Sequence, residues 1–391
     1  MGIFSRSKEK DKLAAVFDIG SSSVGAALFF MQKSGFPKIV FSIREPIILE
    51  EKFSIDRFLF LAVKSLEVVL DKVSKAGLGA PSLIFCVLCS PWYASQVRTI
   101  KLEKNAPFLF TSKLADSLTE KEVSLFEEEH LAEYTSVGSK VRVIELKNIK
   151  TMLNGYGTAK PINQKAKELE MTIFISISPE QILGEIEKSI YLHFNHRTIK
   201  FLPFVMTSFA VTRDMFMNEE NFLLIDIGGE VTDISMIKKD TLRESVSFPI
   251  GHNFIIRGTA SALNCSLNEA KSFISLYKNG HADDSTNQKL EPIIIKLKAE
   301  WLGCFQESLQ NLSNDISIPA TVFITVDQDM VDFFSETIKT EQFNQYTLTE
   351  SKFKVIFLNT SALHGVAVFE ENIVRDPFLI LESIYINRFL S

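Results

Sequence analysis

The sequence predicts a duplicated α/β architecture: two α/β domains sharing a cleft, with a small α+β unit inserted into the first. Three observations carry this. Each half opens with an apolar strand, an Asp-Ile-Gly turn and a second apolar strand: AVFDIGSSSVGAALF in the first and LLIDIGGEVTDISMI in the second. This places Asp18 and Asp226 in equivalent positions 208 residues apart, and internal self-similarity of this kind marks a repeated unit. Apolar strands then alternate with amphipathic helices in both halves. The stretch from 92 to 178 breaks that rhythm with an acidic helical pattern between strand-like segments.

Bulk composition limits the function classes. A chain of 391 residues has room for two or three domains with large cores. Apolar residues make up 46% and charged residues 23%, which are globular proportions, and the 33 phenylalanines imply bulky cores. A net charge of −6 gives no global basis for nucleic-acid binding. Four cysteines are too few for a disulfide framework, and the Cys86/Cys89 pair lies in the apolar run LIFCVLCSPW, which reads as a buried strand. The histidines form no metal-binding spacing. MGIFSRSKEKDKL lacks the apolar stretch of a signal peptide and has Arg6 where a myristoylation signal has Ser or Thr. No apolar run reaches the roughly 18 residues that span a bilayer. A cytoplasmic location is expected, at the inner face of the membrane if the termini touch lipid.

The elements follow in order. Residues 1–12 form a basic tail. Residues 13–91 and 179–215 form the first domain: two strands around DIGSSSVG, a third strand at KIVFSI, and a helix after Ser54 whose apolar face carries Phe58, Leu61, Leu66 and Val69. The inserted unit, 92–178, has a capping box at Thr119–Glu122 and strands at VRVIEL and MTIFISIS. Ser178-Pro179-Glu180-Gln181 then reads as a helix start. Residues 216–376 form the second domain. Its helical part, 264–320, has a capping box at Ser266–Glu269, a loop at HADDSTNQKLEP, and a helix with Leu297, Trp301, Phe305 and Leu309 on one stripe. TVFIT and FKVIFL close the core, and 377–391 is a short apolar terminal segment.

Each Asp-Ile-Gly turn projects a carboxylate and several backbone N–H groups from the end of a strand pair. Glycine allows close backbone approach and positive φ, and successive N–H groups make an anion nest. Gly20, Ser21, Ser22 and Ser23 in one turn, and Gly228, Gly229 and Thr232 in the other, are the phosphate-binding candidates. Asp18 and Asp226 are placed to orient the waters of Mg²⁺, which keeps much of its hydration shell. Two such turns facing each other would clamp a polyphosphate. Each turn taken alone is also ordinary turn chemistry.

These residues resemble the actin/Hsp70/sugar-kinase superfamily, and within it the bacterial cell-division protein family FtsA. DIGSSSVG resembles the first phosphate motif and DIGGEVTDI the second; LPFVMTSFAVT and SALHGVAVF resemble the two connecting helices. IKTMLNGYGTAKPINQKAKELEMTIFISIS resembles the end of the FtsA inserted (SHS2-type) subdomain. SFPIGHNFIIRGTASALNCSLNEAKSFI resembles the segment after the second phosphate motif. The resemblance implies an actin-like (ribonuclease H-like) fold and ATP with Mg in the cleft, with Glu269, Val326 and Asp327 on the adenosine side. It also implies binding to the tubulin-like division protein FtsZ, self-association into filaments or dimers, and peripheral membrane contact.

The sequence departs from the pattern at three places, one of them Ser272, where the resemblance leads to a basic residue. Glu230 stands where the second phosphate loop has its third glycine, and a carboxylate beside a triphosphate costs roughly 1 kcal/mol or more at an effective dielectric near 20. After TVFIT the family has Gly-Gly, whereas this chain has Val326-Asp327-Gln328-Asp329. Weak or degenerate ATP binding without efficient hydrolysis is therefore expected, and no catalytic residue stands out. The terminal segment RDPFLILESIYINRFLS has a single cation beyond Pro377, poor for an interfacial helix, so packing on the domain is the competing expectation. Phe4, Arg6, Lys8, Lys10 and Lys12 are a second membrane-contact candidate. Alternatives to the FtsA-like adaptor are a PilM-like platform of type IV pilus or secretion machinery, a pseudo-ATPase scaffold, and a sugar kinase. The last lacks an identifiable catalytic Asp.

Overall fold

The structure is a computed structural model and describes residues 12–33, 35–131, 140–196, 198–312, 317–340 and 353–390. The chain begins with β1 (Lys12–Ile19), β2 (Ser23–Met31), β3 (Lys38–Pro46), α1 (Ile55–Ser74) and β4 (Leu83–Leu88). The inserted unit contributes β5 (Ala94–Leu109), α2 (Ser112–Leu131), β6 (Val141–Leu153), β7 (Tyr156–Gly157) and β8 (Lys165–Pro179). The first domain resumes with α3 (Glu180–Phe194), β9 (Ile199–Pro203) and α4 (Phe204–Met215). The second domain holds β10 (Phe222–Ile227), β11 (Thr232–Lys238), β12 (Thr241–Phe248), α5 (His252–Leu263), α6 (Leu267–Lys278) and α7 (Asp284–Leu312). It continues through β13 (Thr321–Val326), α8 (Val331–Thr340) and β14 (Lys354–Phe357); β15 (Val368–Phe369) and α9 (Pro377–Phe389) then return to the first domain.

The duplication is explicit in the sheets. The first runs β15-β3-β2-β1-β4-β9 and the second β12-β11-β10-β13-β14. In each, a three-strand antiparallel meander is followed by two strands added in parallel. Asp18 and Asp226 are each the last residue but one of their strand. Strands buried on both faces read as unbroken apolar runs, as LIFCVL does. The inserted unit has its own four-stranded sheet, β5-β8-β6-β7, with Phe126 of α2 buried against it. The fold is thus actin-like, duplicated α/β with an inserted α+β subdomain.

Several local expectations are corrected. α2 starts at Ser112, a full two turns before Thr119, where the Thr111 hydroxyl accepts from the Leu114 amide at 3.2 Å. Ser178 does not cap α3, because β8 extends to Pro179 and the Ser178 hydroxyl donates to the Trp92 carbonyl. HADDSTNQKLEP is helical from Asp284 onward. SALHGVAVF is a turn, with Gly365 at φ +80°, followed by the two-residue strand β15.

The second connecting helix is α9. It follows β14 and β15 much as α4 follows β9, and it packs on α4, β1 and β2. Asp376 caps it, accepting from the Phe378 and Leu379 amides, with Pro377 at the start. Every residue from Leu379 to Asn387 is buried, so the apolar terminal segment is core, not an interfacial helix. Among the described residues no helix is long and apolar enough to cross a membrane. Phe4, Arg6, Lys8 and Lys10 lie outside the described residues.

Trp301 anchors the second core. It is fully buried, stacks on Phe305 and meets Phe248 and Phe334 edge-on. Trp301→Ala is expected to lose about 3–5 kcal/mol of unfolding free energy, measured by urea titration.

Candidate functional site

The β1–β2 and β10–β11 turns face each other, and they touch. Ser21 sits against the second turn: its Oγ accepts from the Glu230 amide at 3.2 Å. A Cβ on Gly229 would lie 2.6 Å from the Ser21 carbonyl, and one on Gly228 would lie 2.7 Å from Ser21 Oγ. These glycines are required by close approach rather than by backbone sign, since neither they nor Gly20 adopts positive φ. Their N–H groups are partly spent inside the turns, Gly20 on the Ser23 carbonyl and Gly228 on the Val231 carbonyl.

Each turn carries its own compensated charge. Asp18 is buried, and Arg44 of β3 donates to its Oδ2 at 2.7 Å. The same guanidinium bonds Ser23 Oγ at 3.0 Å and grips Asp376 through Nε at 2.5 Å and Nη2 at 3.0 Å. The Cys89 thiol faces Asp18 Oδ1 at 3.4 Å. Burial raises the Asp18 pKa and Arg44 pulls it back down, while Asp376 and Asp18 hold Arg44 charged against its own burial. Glu230 is held in the same manner. Arg257 of α5 binds it through two bonds of 2.7 and 2.9 Å, Asn253 donates at 2.8 Å, and Arg257 Nε reaches the Glu50 carbonyl of the first domain at 2.9 Å.

The other candidates separate. Thr232 is fully buried, donates to the Ile250 carbonyl at 2.7 Å and accepts from Trp301 Nε1 at 3.2 Å, so its hydroxyl faces the core. Asp226 accepts from Thr325 at 2.7 Å, and burial followed by the charge of Asp233, its cross-strand partner, raises its pKa well above the ordinary value. Ser22, Ser23 and Asp327 line a cleft of about 490 Å³ beside the turns. Glu269 does not line it. It is exposed and closes the capping box with Ser266, whose bonds lower its pKa. Val326 is buried at the end of β13 and also stays off the cleft lining. From α6 the cleft receives Lys271, Ser275 and Lys278 instead, and from α5 His252. Sequence reasoning missed these, along with Arg44, Arg257, Asn253 and Glu382. Two had a signal: Arg44 is a charge inside a strand, and Glu382 is a lone carboxylate in the apolar run FLILESIYI.

A hydrated Mg²⁺ with a triphosphate does not fit these turns as they stand. Arg44 and the Cys89 thiol face the Asp18 oxygens where metal-bound water would be oriented. Ser21 fills the approach to Gly228 and Gly229, and the carboxylate of Glu230 is turned onto Arg257 and Asn253. Among the described residues no three His, Cys, Asp or Glu side chains converge as metal ligands.

Residues 223–380 match the sequence profile of the family described as cell division protein FtsA. No curated protein matches the sequence. Among solved structures, the chain is similar to the PilM-PilN type IV pilus biogenesis complex, with 11% identity and a TM-score of 0.57 over 96% of this chain and 97% of that one. It is also similar to ethanolamine utilization protein EutJ from Carboxydothermus hydrogenoformans, with 11% identity and a TM-score of 0.43 over 97% and 89% of the two chains. A third is a Bacteroides thetaiotaomicron protein with an actin-like ATPase fold, with 10% identity and a TM-score of 0.37 over 93% and 98%. The chain has the actin/Hsp70/sugar-kinase fold, FtsA-like in sequence in its second half and PilM-like in architecture.

The native pKa of Asp226 lies above the ordinary 3.8, so the folded state binds more protons there than the unfolded state. Its contribution to stability is complete below 3.8 and is lost as pH rises through the native value. Asp226→Asn is therefore expected to be more stable than wild type at pH 8, with the gain shrinking toward pH 4, in urea titrations across that range.

Proposed function

We propose that this protein is an FtsA/PilM-type actin-fold adaptor that works through protein contacts, with its cleft held by its own side chains instead of a Mg-triphosphate. The observation that carries this is the contact between the two turns. Ser21 rests on Gly228 and Gly229, Glu230 is locked by Arg257 and Asn253, and Asp18 is neutralised by Arg44. The cleft beside the turns, about 490 Å³, has Asp327 and Asp329 on its lining, which disfavours an anionic nucleotide there.

The platform reading draws on the end-to-end similarity to the PilM-PilN structure and on the burial of α9, which withdraws the terminal segment from lipid. In this reading the protein stands in the cytoplasm at the inner face of the membrane and binds the cytoplasmic segment of a membrane-anchored PilN-like partner. The profile match over 223–380 favours a second reading, an FtsA-like adaptor that joins FtsZ polymers to the membrane and self-associates. Purified full-length protein mixed with FtsZ polymers, and separately with cytoplasmic segments of membrane-anchored pilus proteins, separates the two. Retention by one and not the other assigns the partner, and retention by neither refutes both.

Mg-ATP at a hundred times a Kd would add about 2.7 kcal/mol to unfolding free energy. The expected result is no shift in the melting temperature with millimolar Mg-ATP. Tight binding abolished by both Asp18→Ala and Asp226→Ala would overturn the self-held cleft.

A further inference from the structure

The chain enters and leaves the inserted unit at the same end of its sheet. β5 begins at Ala94 opposite Ile177, and β8 runs back to Pro179, opposite the start of β6 at Val141. The other end of the sheet gathers three connections: the β5 bulge with the passage into α2, the β6–β7 turn, and the loop from β7 into β8. Backbone bonds tie them together. The Phe110 amide donates to the Gln164 carbonyl at 2.9 Å, the Asn163 amide to the Phe110 carbonyl at 2.7 Å, and the Asn154 amide to the Glu168 carbonyl at 2.9 Å.

This far end is basic in an acidic protein. Residues 104–113 and 150–167 carry Lys104, Lys113, Lys150, Lys160, Lys165 and Lys167 and no Asp or Glu, whereas the whole chain has a net charge of −6. All six lysines are exposed, and none makes an ion pair among the described residues. Lysines elsewhere are matched, Lys64 by Glu67, Lys72 by Glu45 and Lys354 by Glu219. Glu103 and Glu168 are cross-strand partners at the border of the patch. α2 starts inside it with Lys113 and no acid in its first turn, so the positive end of the helix adds to the lysines instead of being offset. Among these cations stand Tyr156, Leu109 and Ile162, which are 79%, 47% and 42% exposed.

We propose that the far end of the inserted unit binds an anionic lipid surface, with its lysines on the headgroups and Tyr156, Leu109 and Ile162 at the acyl boundary. The inference rests on the reading that the protein works at the inner face of the membrane. It supplies a contact in place of the terminal helix, which is core. Charge complementarity selects the occupant: unpaired lysines are drawn to acidic headgroups, and a tyrosine ring sits at headgroup level with its apolar body toward the chains. A nucleic acid fits less well. Its phosphate backbone offers Leu109 and Ile162 no apolar surface, and the patch has no arginine to grip a phosphate through two bonds.

The test floats the full-length protein with vesicles of phosphatidylcholine alone or of phosphatidylcholine and phosphatidylglycerol in equal parts. Binding to the mixed vesicles is expected to be about tenfold tighter or more, and to weaken as salt is raised. A variant with Lys150→Gln, Lys160→Gln, Lys165→Gln and Lys167→Gln is expected to fall to the phosphatidylcholine level. Changing Lys64, Lys188, Lys296 and Lys339 to Gln alters the net charge equally on other elements and is expected to leave binding unchanged. Tyr156→Trp gives a second readout, because Trp92 and Trp301 are buried. Its emission is expected to shift to the blue on mixed vesicles and to be quenched by brominated lipid. Equal binding to both vesicle types, binding to neither, full binding by the 150/160/165/167 variant, or an unshifted Tyr156→Trp emission overturns the proposal. Tighter binding to a DNA duplex than to the mixed vesicles, lost in the same lysine variant, overturns lipid as the occupant. None of these measurements includes nucleotide, FtsZ or a pilus protein, so the lipid contact and the partner reading fail separately.

Discussion

Arg44 is the residue on which the arrangement depends. One guanidinium on β3 binds Asp18 in the first turn, Ser23 beside it, and Asp376 at the start of α9. Asp376 in turn caps α9, which fills the first-domain core. The charges are largely withdrawn from water, and removing one partner of such a pair typically costs about 3–5 kcal/mol, because a buried charge is left uncompensated. Glu382 shows the same pressure from the other side. It is fully buried on α9, and burial and then the Asp18 charge raise its pKa well above the ordinary range. The first turn, the last helix and the edge of the cleft are thus one electrostatic unit.

The second turn reaches the same end by a different route. A glycine replaced by Glu230 would be a liability in a phosphate nest. Here Arg257 and Asn253 satisfy that carboxylate, and Arg257 extends to Glu50 in the other domain. Ser21 to Glu230, Arg257 to Glu50, and Ser90 to Asp233 all cross between domains. These three bonds bridge the two domains within the chain. The substitution at 230 and the close packing of Ser21 on the glycines are mutually consistent, which makes the contact a built feature of the cleft.

The frame of the fold was legible from local chemistry. Paired Asp-Ile-Gly turns between apolar runs become the paired hairpins. The Leu297, Trp301, Phe305 and Leu309 stripe is the buried face of α7, and the Ser266–Glu269 box caps α6 with both of its bonds. Element boundaries were less legible. Thr119 and Ser178 have good cap chemistry but sit where a longer helix or strand already passes, so context overrides the local preference. The terminal segment reads from the sequence as either an interfacial tail or an element packed on the domain, and the second connecting helix is assigned to SALHGVAVF, which forms a turn and a two-residue strand instead. An all-round apolar helix carries no stripe to indicate what it packs against.

What the sequence determined by itself is the set of parts: the duplicated strand–turn–strand units, the inserted sheet, and the acids at the strand ends. Strand and turn preferences are local, and a carboxylate at position 18 or 226 needs no partner to be recognised. What only the tertiary structure decided is which cation meets which acid. Arg44 lies 26 residues from Asp18 and 332 from Asp376, and Arg257 lies 27 from Glu230. At such separations no periodicity links the members of a pair, and their contact exists only because the sheets and α9 fold onto one another. The same holds for Asp233, which among the described residues is held by the hydroxyls of Ser90 and Ser247 and by no cation.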